Sequence, residues 1–282
     1  MSLSSTPVQN KTKVRNASIP MPLFTMALIS SLLLLVVGSS LFFFPDFARP
    51  RWVWSLTPFN TRFLGAIYLT SLVGLSLLLL LRTAIPARLI VLMTWVFTTV
   101  ILLVSCLQIE QFDLARRTTG IWFGLYSADC LIASYYLWRY GRQRFAELQR
   151  LPYKWRLYLQ FQAGFLGIYG LGLLVLPARV GFFWPWPLDT FHSQLYSAIF
   201  LVGALGAALL ARKAAVVELW VFGVIQLAFS GFVISGVWLV DRAVQKIDWG
   251  LFGNWVWFGA FVLLGITGLG MMWQSRRLLQ QH

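Results

Sequence analysis

Asp129 is the residue from which chemistry could most directly be built. It stands near the middle of an apolar stretch, and a carboxyl group there is costly whether it ionises or takes up a proton and seeks partners. Helical spacing puts Tyr126 and Tyr136 on one side of it, with Ser127, Cys130 and Ser134 close by. In a later apolar stretch Gln226 lies at similar depth, with Ser230 one turn toward one end and Glu218 two turns toward the other. Asp129, Tyr126, Gln226 and Ser230 therefore form a candidate intramembrane polar site. One reading is a track in which Asp129 takes up and releases a proton. The other is a protonated Asp129 bonded to Gln226 or a tyrosine, joining helices. No lysine or arginine is available at that depth as a counter-ion.

Other chemistry has little to stand on. The group Asp189, His192 and Ser193 invites comparison with a catalytic triad, yet near neighbours on a helix do not all face one point. With two histidines and two separated cysteines, there is no haem pair, no HExxH and no zinc or iron–sulfur set. No GxxxxGK(S/T) segment is present to cradle a phosphate. Glu110 and Asp113 are followed at once by Arg116 and Arg117, a pattern that reads as a solvated ion-pair cluster. Cys106 and Cys130 fall at different depths, so a disulfide between them would distort helical geometry. No catalytic residue, metal or cofactor is expected.

The elements that would position Asp129 follow from composition. The chain has 282 residues, 59% hydrophobic and only 11% charged. Apolar stretches long enough to cross a bilayer as helices lie at 22–44, 63–81, 89–107, 119–139, 158–176, 194–211, 215–240 and 252–273. Runs such as LLLLVV lack the period-two alternation of a membrane strand. The expected fold is an all-α integral membrane protein with eight transmembrane helices. Residues 1–40 resemble a secretory signal, but the apolar run is too long and reads as a retained first span. The net charge of +14 is explained by its distribution rather than by nucleic acid. Lys and Arg collect on one side, and most acidic residues on the other, which predicts both termini in the cytoplasm.

The chain also repeats itself. WVWSLTPFNTRFLGA, residues 52–66, returns as WPWPLDTFHSQLYSA, residues 184–198, 132 positions later. Pro45 matches Pro177, and Gly74 matches Gly206. At a later offset of 135, Trp122 matches Trp257, Trp138 matches Trp273 and Arg142 matches Arg277. The expected organisation is two tandem parallel four-helix repeats, 21–141 and 157–275, related by a pseudo-two-fold axis along the membrane normal. They are flanked by cytoplasmic tails at 1–20 and 276–282 and joined by a basic linker at 142–156. Leu264 occupies the place of Asp129 in the second repeat.

Within the doubled motif, Thr57 and Asp189 are N-cap residue types, and Pro58 follows at the first helical position. Trp52, Trp54, Trp184 and Trp186 read either as interfacial anchors or as the outer aromatic rim of a cavity for a lipid, an aromatic or a cationic ligand. In the linker, Arg142, Arg144, Arg150, Lys154 and Arg156 alternate with aromatic and apolar residues. That pattern suits a helix lying among lipid headgroups, a topology determinant, or a docking site. Small residues at helical spacing, Ala66/Thr70/Gly74, Gly203/Ala207, Ala204/Ala208 and Ala163/Gly167, permit close helix approach.

The W-x-W-x-L-(T/D)-(P/T)-F signature, followed in the first copy by Arg62-Phe63-Leu64-Gly65-Ala66, resembles a segment of bacterial multi-pass membrane proteins in which W-P-W-P-L-T-P precedes a span. The resemblance implies a bacterial cytoplasmic membrane and no particular activity. The second copy departs from it at Gln194, Tyr196 and Ser197. The expected function is non-enzymatic: a membrane protein that binds lipid or a protein partner as a scaffold or accessory subunit, with membrane lipids, a partner or a second copy as its associates and no nucleic acid. The alternative is a transporter of a small molecule or lipid with a protonatable Asp129.

Overall fold

A computed structural model describes residues 17–143, 145 and 148–280. Among these the chain is all-helical, without strands. In order the helices are α1 (Met21–Phe43), α2 (Pro45–Ala48), α3 (Pro58–Leu81), α4 (Ala84–Leu107), α5 (Arg117–Gly141), α6 (Tyr153–Val175), α7 (Pro177–Val180), α8 (Thr190–Arg212), α9 (Val216–Val244) and α10 (Phe252–Gln280). Seven of them, α1, α3, α4, α6, α8, α9 and α10, are long and apolar enough to cross a membrane. The eighth stretch expected to span, α5, has the length at 25 residues. It falls short in hydropathy because Ser127, Asp129, Ser134 and four tyrosines interrupt it.

Local chemistry sets the helix ends. The side chain of Thr57 accepts from the Asn60 N–H at 3.3 Å, and that of Asp189 accepts from the His192 N–H at 2.8 Å, so both motif copies cap a helix as their residue types require. Pro45 and Pro177 cannot continue α1 and α6; each opens a short helix and a 3₁₀ turn that lead into the paired tryptophans.

The packing exchanges partners between the halves of the chain. Helix α1 packs on α3 and α6 on α8, while α4 packs on α5 and α9 on α10. The bundle closes because α3 lies along α9 and α8 along α4, each contact joining an early helix to a late one. Glycines permit the tightest crossings. A Cβ on Gly268 would stand 2.7 Å from the Gly223 carbonyl oxygen, and one on Gly65 would stand 2.8 Å from the Phe42 nitrogen. The expected small-residue faces are used, with Gly167 of α6 meeting Ala204 of α8. Helix α5 is peripheral, burying only Thr119, Trp122, Ala133, Tyr136 and Tyr140.

At the end opposite the tryptophan motifs, two short antiparallel bridges tie entering chain to helix turns: Ser18 with Thr83, and Gln149 with Ala214. The second corrects the expectation of a helical linker. Its described residues from Gln143 to Pro152 are non-helical, because Gln149 bonds in both directions to Ala214 and Phe145 and Leu151 are buried. Lys154 and Arg156 belong instead to the first turn of α6.

Candidate functional site

A cavity of about 270 Å³ lies between α1, α3, α4 and α5 and is closed at the back by Ile199, Val202 and Ile225 of α8 and α9. Trp52 and Val53 line its motif end, and Asp129 lies among its lining residues. From Thr118 to Asp129 it follows α5 for about 16 Å at 1.5 Å per residue. Its exposed wall residues are Leu33 of α1 and Thr118, Ile121 and Leu125 of α5, which mark the side on which it opens. It is therefore a slot whose mouth faces sideways between two helices.

The slot is largely apolar, and most of its hydroxyls are occupied. Thr70 donates to the Ala66 carbonyl, Ser71 to that of Ile67 and Thr98 to that of Thr94, each within its own helix. Tyr68 and Tyr126 bond to each other at 3.0 Å across α3 and α5. Asp129 receives a single donor, the Ser30 hydroxyl, at 3.3 Å from both carboxyl oxygens. No basic side chain lines the slot.

Asp129 and Tyr126 thus share one site, but Gln226 and Ser230 stand elsewhere. Ser230 donates to the Phe261 carbonyl at 2.7 Å, and Gln226 lies at the crossing of α9 and α10 beside Gly268. Gln226 is buried, with neither amide atom bonded to the described chain. The expected track from Asp129 to Gln226 is not formed. At 100° per residue, Ile225 is the residue of α9 that reaches the slot, and Gln226 turns away from it. Sequence reasoning missed Ser30 and Tyr68; the clue to Ser30 was the Ser30-Ser31 pair inside an otherwise apolar run.

The tryptophans do not form an exposed rim. Trp54, Trp184 and Trp186 are buried and Trp52 is partly so. Their geometry is reciprocal between positions 132 apart. The Trp54 indole N–H donates to His192 Nε2 at 3.2 Å, and the Trp186 indole N–H donates to Asn60 Oδ1 at 3.0 Å. Phe191 meets Trp54 edge-on and Phe59 stacks on Trp186. Trp122 packs against Trp52 and Trp54, and Trp257 against Trp184 and Trp186. Each copy of the motif therefore bonds to the helix start of the other.

The hydrogen bonds also decide the role of His192. Its Nε2 accepts from Trp54, so Nδ1 is the donor to Asp189 Oδ2 at 2.6 Å. Both ring nitrogens are occupied, and Ser193 is not among its partners. Burial pushes the Asp189 carboxyl up, but the bonds from the His192 ring and backbone outweigh it and hold the group below its ordinary value.

At the opposite end, Arg88 of α4 forms a two-point ion pair with the fully buried Glu218 of α9, with both N–O distances 2.9 Å. Glu218 also accepts from the Ala215 N–H. Glu218 is thus a tie between α4 and α9 and no member of a polar track. Of the linker residues, Arg142 stacks over Trp138 at 3.9 Å and Arg156 over Tyr153 at 5.6 Å. Arg150 and Lys154 are exposed, and Arg144 lies outside the described residues.

Comparison with protein-family models, curated proteins and solved structures finds no match to this chain.

Proposed function

We propose that this protein is a non-enzymatic membrane protein that holds a lipid chain or lipid-like molecule in the slot between α1, α3, α4 and α5. One observation carries the reading: an apolar cavity opens sideways between α1 and α5, helices of 23 and 25 residues, and has the Asp129 carboxyl group in its wall. Sites of this size, lined by apolar and aromatic residues with a few polar groups, are ligand sites by default. The arginines stacked on Trp138 and Tyr153 suit association with lipid headgroups. A carrier is the second reading, favoured by the position of Asp129 on the slot rather than within a helix seam.

The same proposal takes α5 as an eighth span and the chain as two tandem parallel repeats with both termini in the cytoplasm of a bacterial inner membrane. Supporting the repeat are the reciprocal Trp54–His192 and Trp186–Asn60 bonds and the two bridges at the other end. Arg142 over Trp138 and Arg277 over Trp273 add a further equivalent pair, 135 apart. Supporting α5 as a span is its packing on α4, with hydrogen bonds from Trp95 to Ser134, between Thr99 and Cys130, and from Trp122 to Ser105 spread along the pair.

A phospholipid carrying a photoreactive acyl chain tests the ligand reading. In lipid nanodiscs its adducts should map to slot residues on α4, and Thr94→Phe or Ser71→Phe, which place a ring in the slot, should remove those adducts while sparing adducts on exposed helix faces. Equal labelling of slot and plugged variants would contradict it.

A further inference from the structure

The carboxyl group of Asp129 is chemically out of place in its surroundings, and its surroundings indicate what would match it. A carboxylate offers about four acceptor positions, and here one hydroxyl, that of Ser30, is shared between both oxygens at 3.3 Å. Of the other polar groups in the lining, the Thr70, Ser71 and Thr98 hydroxyls are bonded to their own helices and Tyr68 and Tyr126 to each other, and those left, the Thr94 and Thr118 hydroxyls and the Trp52 indole N–H, carry no charge. Three rings gather along the same stretch: Tyr126 lies 4.3 Å from Trp122 and 6.3 Å from Phe97, centroid to centroid. A carboxylate and aromatic rings lining one apolar cavity both attract positive charge, the more so in a medium of low dielectric. No arginine or lysine of the lining supplies that charge.

We infer that the occupant of the slot is a lipophilic organic cation, an amine or quaternary ammonium whose head lies against Asp129 and whose apolar tail runs toward Trp52. An anionic amphiphile would place like charge against Asp129, and a neutral chain would leave the carboxyl group with Ser30 alone. The inference rests on the reading of the slot as a ligand site and narrows it to one charge class.

The test uses the full chain in nanodiscs of zwitterionic lipid and two photoreactive probes, decyltrimethylammonium and decanol, each with a diazirine on the chain. The ammonium probe should label slot peptides of α4 and α5 and be competed by unmodified decyltrimethylammonium. Asp129→Asn should weaken that competition by about tenfold or more, Asp129→Glu should retain most of it, and Phe97→Leu should weaken it by roughly threefold. Decanol labelling should be the same in all four proteins, which also shows that the slot is intact in the variants. If both probes label wild type and Asp129→Asn alike, and competition is unchanged in Phe97→Leu, the cation inference is overturned and a neutral-lipid slot remains. If neither probe labels α4 or α5 above the Thr94→Phe control, the ligand-site reading itself fails.

Discussion

Trp54 and Trp186 show how much a single indole N–H can organise. Each reaches a buried acceptor on the opposing helix start, and truncation would strand that acceptor away from water. Trp186→Phe, which keeps a ring against Phe59 but loses the donor to Asn60, should cost about 1–3 kcal/mol and lower the thermal midpoint. Trp238→Phe, at an exposed position where the ring keeps its contact with Arg242 and no indole hydrogen bond is lost, should change it little. The Asp189 carboxyl makes a pH prediction. Its folded value lies below its ordinary one, so the stability it adds is fully present above about pH 4 and is lost as pH falls through the folded value. Thermal midpoints measured from pH 6 downward should fall more steeply for wild type than for Asp189→Asn. Parallel curves would contradict a stabilising role for that ionisation.

At the scale of helices, close approach is set by where side chains are absent. Gly268→Ala puts a methyl group against the Gly223 carbonyl at the α9–α10 crossing and should destabilise by about 1–3 kcal/mol. Gly259→Ala in the same helix meets nothing within 4 Å and should be neutral or slightly stabilising. The α4–α9 tie is larger: Glu218→Gln leaves Arg88 without its ion-pair partner in a buried setting, a loss of about 3–5 kcal/mol. Chemical unfolding in detergent measures all three. Helix positions were legible in the sequence because apolar length and N-cap chemistry are local properties. Which helix packs on which was not, because α3 against α9 and α8 against α4 bring together segments far apart in the chain. The same limit explains the polar site. Depth could be read along each stretch, so Gln226 was placed level with Asp129, but rotation about α9 decides which residue faces the slot, and that residue is Ile225.

For the whole molecule, the two halves are held by different chemistry at their two ends. Hydrogen-bonded tryptophans join them at one end and the Arg88–Glu218 pair at the other, while the slot opens along the flank formed by α1 and the peripheral α5. The doubled motif was visible in sequence as a repeat, but its purpose was not, since an anchor at the lipid surface and a tie between halves call for the same residues. The eight-span reading makes a topological prediction. Tags on the two termini should be digested by protease from the same side of oriented vesicles, and digestion from opposite sides would leave seven crossings. The account turns most on what fills the slot. A cryo-EM map of the protein in lipid nanodiscs decides this directly: elongated density running between α1 and α5 from Trp52 to Asp129 is the predicted result, and a slot closed by side chains, with Asp129 sealed against α1, would contradict it.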